Sequence, residues 1–381
     1  MSTAIQPAGV GRPRSTLVIN RGSSNIKFAL YVVGRQPVLI RRGSLDVAES
    51  PLVVARLFDE ISEDVVSCPL ASVGHRIVHG GPAMRAPQAV TPALLSTLHA
   101  LVRFAPNHLP GEIALIEAVQ QRHRNIPQIV CFDTAFHADL PDVATHLPIA
   151  HRYAAEGVRR YGFHGLSYTF LMEALGHQWQ RPSVESKVIL AHLGSGSSLA
   201  AVRDGRPIDT SMGFTPIGGV VMSTRSGDLD PGVVAYIART RGFDADQLEQ
   251  ELSHHSGLFG LTDGTADMRE LLRRETSDDT CRLAVSIYCY EIRKRIGAYA
   301  AAMGGLHAIV FSGGIGERAP TVRSRICQDL MFLGVEIDDQ QNAANAPTIS
   351  RPNSSVSVFV IPTDEEVVIA TASFDLLHDT P

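Results

Sequence analysis

The sequence predicts a duplicated two-domain α/β protein, and three observations carry that expectation. Its 381 residues suffice for two to three domains of about 150 residues each. Short β-rich runs alternate with helical patterns along the chain, as in α/β proteins. A motif also repeats. The run L-V-I-N-R-G-S-S-N-I-K over residues 17–27, then 28–33 and Gly34-Arg35, has a counterpart in V-I-L-A-H-L-G-S-G-S-S over 188–198, then 199–204 and Gly205-Arg206. Each reads as strand, Gly/Ser turn, strand, Gly-Arg turn. Their first glycines, Gly22 and Gly194, lie 172 residues apart, about one domain, so the same hairpin is expected to open two related domains.

The elements follow in order. Residues 1–16 are expected to form a loose, polar, Gly/Pro-bearing tail without the apolar stretch of a signal peptide. Residues 17–20 and 26–33 read as the first two strands. Residues 72–78, 129–131, 188–192, 308–312 and 356–361 read as short buried strands, each ending near Gly, Asp or Pro. Helices are expected between them. Thr91-Pro92 and Asp230-Pro231 each supply a cap and a first-turn proline, and a long helix over 282–303 is stopped by Gly304-Gly305. The domains are drawn at 17–148 plus 366–381 and at 149–365.

Composition narrows the function classes. With 44% hydrophobic and 19% charged residues, collagen-like, disordered and coiled-coil classes are excluded. A net charge of −5 leaves no basic excess for a phosphate backbone, so no nucleic-acid partner is expected. No apolar run reaches the 18 or so residues of a membrane span, and no membrane partner is expected. The five cysteines, with no pair three apart, suggest neither a disulfide framework nor a zinc ribbon. They read as reduced, buried thiols of a cytoplasmic protein.

The chemistry-bearing residues sit at turns and strand ends. A Gly/Ser turn points several backbone N–H groups at one spot and can cradle an anion. Two such turns, one per domain, suggest a polyphosphate between them, with Asn20 and Lys27 beside the first. A third glycine cluster, F-S-G-G-I-G-E-R over 311–318, lacks the full dinucleotide spacing, and no P-loop is present. Charged clusters recur at strand ends, where open α/β sheets bind ligands: G-H-R-I-V-H-G-G around Arg76, F-D-T-A-F-H around Asp133, R-R-Y-G-F-H-G around His164 and T-R-S-G-D-L-D-P around Arg225. His75 and His79 read as structural. The run T-D-E-E over 363–366 reads as a capping box, Thr363 to Glu366, which leaves Glu365 for a metal such as Mg²⁺.

In order, N-R-G-S-S-N-I-K, G-H-R-I-V-H-G-G, F-D-T-A-F-H, R-R-Y-G-F-H-G, H-L-G-S-G-S-S, D-T-S-M-G-F-T-P, T-R-S-G-D-L-D-P, G-G-I-G-E-R and P-T-D-E-E span about residues 17–370. This set resembles the acetate kinase (acetokinase) family. The resemblance implies a duplicated actin-like ATPase (ribonuclease H-like) fold with ATP in the interdomain cleft, Mg²⁺ (Mn²⁺ as the alternative) and a homodimer. The first domain would form the acyl-substrate side and the second the nucleotide side. By motif, Asn20 and Glu365 match metal positions. Lys27, the run His192, Leu193, Gly194, Ser195 and Gly196, the run Asp267, Met268 and Arg269, and the run Gly314, Ile315, Gly316, Glu317 and Arg318 match ATP positions. Arg76 matches the substrate-carboxylate contact, with Val78 and Pro216 as acyl-pocket walls and His108 as a further active-site histidine. Asp133 matches the position named as catalytic acid/base, and His164 and Arg225 match transition-state stabilisers.

Four positions depart from the family pattern: Asn25 for Ser, Ser195 for Asn, Ala266 for Ser, and Asn107 for a pocket Leu. The polar Asn107 leaves the acyl-chain preference open. The implied reaction is reversible phosphoryl transfer from ATP to acetate. The nucleophile is already ionised, so Asp133 is expected to orient metal-bound water or Arg76 more than to move a proton. The alternatives are a propionate or butyrate kinase and, from another class, a nucleotide-switched protein of the actin or heat-shock-chaperone type.

Overall fold

A computed structural model describes residues 13–22, 25–46, 52–179 and 185–378. The chain divides into two compact units, Met1–Ala135 with Asp364–Pro381, and Phe136–Thr363.

Unit 1 is built on six strands: β1 (Ser15–Arg21), β2 (Asn25–Val32), β3 (Val38–Asp46), β4 (Leu70–Ile77), β5 (Gln88–Ala89) and β6 (Gln128–Phe132). Their order in the sheet is β3-β2-β1-β4-β6-β5. β1 to β3 form an antiparallel meander, whereas β4 runs parallel to β1 and β6 parallel to β4. The first strands form because β-branched and aromatic residues fill their inward positions. Leu17, Ile19, Ile26, Phe28, Leu30 and Val73 join Leu57 and Val119 in the unit's core. Thr91 caps helix Pro92–Leu101 as its sequence predicts, its Oγ1 accepting from Leu94 N at 3.1 Å. The C-terminal helix Glu365–His378 belongs to this unit.

Unit 2 carries β7 (Lys187–Leu193), β8 (Ser197–Arg203), β9 (Arg206–Thr210), β10 (Ala308–Ser312) and β11 (Ser357–Val360), ordered β11-β10-β7-β8-β9. Here β7 to β9 are antiparallel, and β10 and β11 run parallel to β7 and to β10. This repeats the plan of unit 1 strand for strand, with β7, β8, β9, β10 and β11 in the places of β1, β2, β3, β4 and β6. The hairpin repeat therefore opens two equivalent sheets, and the fold is a duplicated α/β architecture. The long helix Asp279–Met303 starts earlier than its apolar spacing suggested. Asp278 caps it, accepting from Thr280 N at 3.0 Å and Cys281 N at 3.2 Å, and Gly304 ends it at φ +68°.

Three boundaries differ from the sequence reading. β1 begins at Ser15, because Ser15 Oγ donates to Cys68 O at 2.7 Å and Thr16 Oγ1 pairs with Ser72 Oγ at 2.8 Å. Residues 1–12 of the expected tail lie outside the described residues. The first unit boundary falls at 135/136 instead of 148/149. Asp133 N donates to Ile77 O at 3.0 Å, whereas the rings of Phe136 and His137 pack on Tyr168 of unit 2 at 5.7 and 5.6 Å. The last boundary falls at 363/364. Thr363 Oγ1 donates to Ser167 Oγ at 2.9 Å, while Asp364 accepts from Arg42 Nη2 at 2.6 Å. Glu365 is therefore a residue of unit 1.

The five cysteines are buried and unpaired as disulfides. Among the described residues no helix is long and apolar enough to cross a membrane.

Candidate active site

In unit 1 four strand and helix ends bring a charged cluster together. Arg76 sits near the end of β4 and Asp133 just past β6, its neighbour in the sheet. Arg76 Nε donates to Asp133 Oδ1 at 3.1 Å, and Nη2 pairs with Asp133 Oδ2. This two-pronged contact fixes the plane of the guanidinium. Nη1 donates to Arg21 O at 3.2 Å, and Glu365 Oε2 lies 4.0 Å from Nε. Asp133 is fully buried and Arg76 nearly so. Burial opposes the charge on Arg76, but Asp133 and Glu365 outweigh it and raise its pKa.

Asn20, buried at the end of β1, binds both carboxylates of the last helix. Its Nδ2 donates to Glu365 Oε2 and to Glu366 Oε1, each at 3.1 Å. This corrects the capping box expected at T-D-E-E. Asp364 Oδ1, not Thr363, accepts from Val367 N at 3.2 Å. Glu366 turns to Asn20 instead, and burial, with Glu365 beside it, raises its pKa. Lys27 stands opposite Asn20 in the β1–β2 register and is exposed. Ser23 and Ser24 of this turn lie outside the described residues. His108 precedes helix Leu109–Arg122, and Asn107 beside it is exposed. His75 is buried against Gln128 at 2.7 Å, and burial lowers its pKa to about 4. It stays neutral, in keeping with a structural role.

In unit 2 a second cluster gathers around the β7–β8 turn. His164 holds a left-handed conformation (φ +61°) ahead of helix Gly165–Gln178. Its ring stacks on His192 with centroids 4.2 Å apart. His164 Nδ1 is held by Ser198 Oγ at 2.8 Å, and His192 Nδ1 by Ser167 Oγ at 2.8 Å. A Cβ placed on Gly196 would lie 3.3 Å from His164 Nε2 and 3.5 Å from Arg225 Nη1. A side chain at this position would crowd both, so the Gly196 backbone lies directly against His164 Nε2 and the Arg225 guanidinium. Ser195 O accepts from Ser223 N at 3.1 Å, which ties the Arg225 loop to this turn. Arg225 Nη1 donates to Pro216 O at 3.2 Å.

The third glycine cluster reaches the same place. A Cβ on Gly194 would lie 3.8 Å from Gly314 N. Gly313 has φ +74°, and a Cβ there would meet Leu193 O at 2.7 Å, so both conformation and space demand glycine. Glu317 Oε1 accepts from Gly313 N at 3.0 Å and closes the short helix Gly313–Arg318. Asp267 and Arg269 pair with each other at an exposed helix start, Arg269 Nε donating to Asp267 Oδ1 at 3.1 Å. Met268 between them is buried in the unit's core.

Sequence reasoning passed over several contributors. Ser167 and Ser198 hold the two histidines, Glu366 shares Asn20, and Arg21 lends Arg76 its carbonyl. Arg323 is fully buried and donates from Nη1 to Gly316 O at 2.8 Å and Glu317 O at 3.0 Å, beneath the third glycine cluster. Arg21, Ser198 and Glu366 lie within motifs, yet the motifs do not name their partners, which are 34 to 346 residues away.

The model of the Acetokinase family matches residues 42–371. The chain belongs to the acetokinase family. Acetate kinase from Rhodopseudomonas palustris is 40% identical over 386 residues, covering 93% of this chain and 96% of that protein. The crystal structure of Porphyromonas gingivalis acetate kinase has a TM-score of 0.86 at 31% identity, covering 96% of this chain and 100% of that one. A propionate kinase from Francisella tularensis has a TM-score of 0.85 at 33% identity, covering 94% and 98%. The acetokinase fold is of the actin-like ATPase type, and the enzymes of this family are transferases that use ATP and a divalent metal.

The donor set suits such a metal. Among the described residues no three His, Cys, Asp or Glu side chains form a metal cluster. Asn20 and Glu365 instead offer oxygen ligands only, one amide and one carboxylate. A hard cation that keeps most of its waters fits that sparse set, and a soft transition metal does not.

Proposed function

We propose that this acetokinase transfers the γ-phosphoryl group of ATP to acetate, giving acetyl phosphate and ADP, in a reversible reaction. A carboxylate oxygen attacks the γ-phosphorus, and the bond to the β–γ bridging oxygen breaks as ADP leaves. The nucleophile is ionised at neutral pH, so no base has to take a proton. The task is to hold two anions in line and to neutralise the charge that spreads over the transferring group.

The residues divide that task. On the acyl side Arg76 pairs with the carboxylate, and Asp133 fixes the plane of its guanidinium. This gives Asp133 a positioning role. Val78 and Pro216 serve as apolar walls for the methyl group, with His108 nearby in sequence to Asn107. On the nucleotide side Leu193 to Gly196, with His192, offer backbone donors to the phosphates, and Lys27 adds a point charge. Asp267, Met268 and Arg269, with Gly314 to Arg318, serve the nucleoside. His164 Nε2 and Arg225 stabilise the equatorial phosphoryl oxygens. Asn20 and Glu365 hold the divalent ion, Mg²⁺ in preference to Mn²⁺, and when bound it supplies further neutralisation of phosphate charge.

The single observation that supports this reading most is the close approach of His164 Nε2 and Arg225 Nη1 to the Gly196 backbone, where a side chain would crowd both. Two donors aimed at one spot beside a backbone nest suit a transferring phosphoryl group. A homodimer is part of the reading, supported by exposed Val233, Tyr236, Leu283 and Tyr290 on unit 2. A cytoplasmic location is supported by the five buried thiols.

The test is kcat/KM for acetate, propionate and butyrate, with acyl phosphate trapped as hydroxamate. Acetate should be preferred, by the roughly 1–3 kcal/mol that a methylene is worth in an apolar pocket. A preference for propionate or butyrate would overturn the substrate assignment. No hydroxamate from any short acid would overturn the reaction and favour a nucleotide switch.

A further inference from the structure

One buried acid in unit 1 has no place in the scheme above. Glu112 lies in the first turn of helix Leu109–Arg122, four residues beyond His108, and is 2% exposed. Its Oε2 accepts from Val78 N at 3.0 Å, where the chain leaves β4 two residues after Arg76. Its Oε1 is buried and has no hydrogen-bond partner among the described residues. A buried carboxylate oxygen without a donor is costly when charged, which favours the neutral acid at this position. The charged groups that face Glu112 are Arg76, Asp133 and Arg21. Ionised, Glu112 adds a carboxylate to Asp133 in drawing on the Arg76 and Arg21 guanidiniums, at the place where an anionic acid must bind; neutral, it does not.

We propose that Glu112 is a positioning residue of the acyl side, which as a neutral acid anchors the Val78 backbone and leaves the Arg76 charge to the incoming carboxylate, and as a carboxylate competes for that charge. The inference rests on the reading that Arg76 binds the substrate carboxylate. Burial supports it, raising the Glu112 pKa to about 7 against the opposing pull of Arg76. The acid form therefore prevails below pH 7, and substrate binding favours that form. KM for acetate should rise as the pH passes 7, by about tenfold between pH 6 and pH 8 if only the neutral form binds well.

The experiment compares wild type with Glu112→Gln, the isostere of the neutral acid, from pH 6 to pH 8. The rise in KM for acetate should disappear in Glu112→Gln, with no matching change in KM for ATP in either protein. A wild-type KM that stays flat, or a rise that persists in Glu112→Gln, would overturn the proposal. A second readout needs no turnover. Carbon-13 NMR of the whole chain, with the Glu112 carboxyl assigned by its loss in Glu112→Gln, should show titration near pH 7 that moves upward when acetate is added. Titration in the ordinary glutamate range would overturn the proposal. Absence of turnover with every acid would fall on the reaction itself, and the carboxyl titration would still decide for or against Glu112.

Discussion

Replacing Arg76 with Gln separates what this side chain does for the fold from what it does for the substrate. The change removes both prongs of the contact with Asp133 and the bond to Arg21 O. It leaves Asp133, a fully buried carboxylate, without its cation. Breaking a buried pair by removing one partner costs about 3–5 kcal/mol. At about 2–4 °C per kcal/mol for a unit of this size, unit 1 should melt roughly 6–20 °C lower. The single tryptophan, Trp179, lies in unit 2, so calorimetry or circular dichroism must follow the transition. The catalytic loss is a separate quantity. Two hydrogen bonds to a charged carboxylate are worth about 1.5–3 kcal/mol each, so kcat/KM for acetate should fall by about 10²- to 10⁴-fold. The double variant Arg76→Gln/Asp133→Asn removes the orphaned charge and should recover most of the stability without recovering activity. A double variant that regains turnover along with stability would refute the substrate role of Arg76. A single variant that melts like wild type would refute the burial argument.

Four further outcomes follow from the same geometry. Arg225→Ala should lower kcat by about 10³-fold or more, as loss of a transition-state arginine does in other phosphoryl transfers, and near-normal turnover would remove Arg225 from that role. Gly313→Ala should raise KM for ATP about tenfold in steady-state assays while KM for acetate holds, because its left-handed backbone costs about 1–2 kcal/mol with a side chain and its Cβ would press on Leu193. Chelation by EDTA should abolish turnover, with recovery on adding Mg²⁺. Asn20→Ala should raise the Mg²⁺ concentration for half-maximal rate by about tenfold or more.

The parts of the fold legible in the sequence are those with local causes. The β1–β2 and β7–β8 hairpins announce themselves through apolar runs around Gly/Ser turns, and their recurrence predicts two equivalent sheets. The edge strand β3 does not. It is largely exposed and carries Arg41, Arg42, Gly43 and Ser44 in sequence, so no alternating pattern marks it. The T-D-E-E run misleads for a related reason. Thr363 and Glu366 have cap spacing, yet Asn20, 346 residues away, claims Glu366. Motif resemblance gives roles to Arg76, His164 and Arg225 but not the supports of His164 and Arg225. Asp133 is expected to orient either metal-bound water or Arg76, and its two-pronged contact is with Arg76; Ser198 as the holder of His164 and Glu112 behind Val78 emerge only when sheet neighbours and helix starts meet.

The central claim is that a carboxylate oxygen attacks phosphorus directly. Acetate labelled with oxygen-18 in both positions, incubated with ATP and the divalent metal, tests it by phosphorus-31 NMR of the acetyl phosphate formed. Direct attack predicts oxygen-18 in the bridge between carbon and phosphorus, seen as an isotope shift of the acetyl phosphate resonance. An acetyl phosphate whose phosphorus carries no label would contradict it.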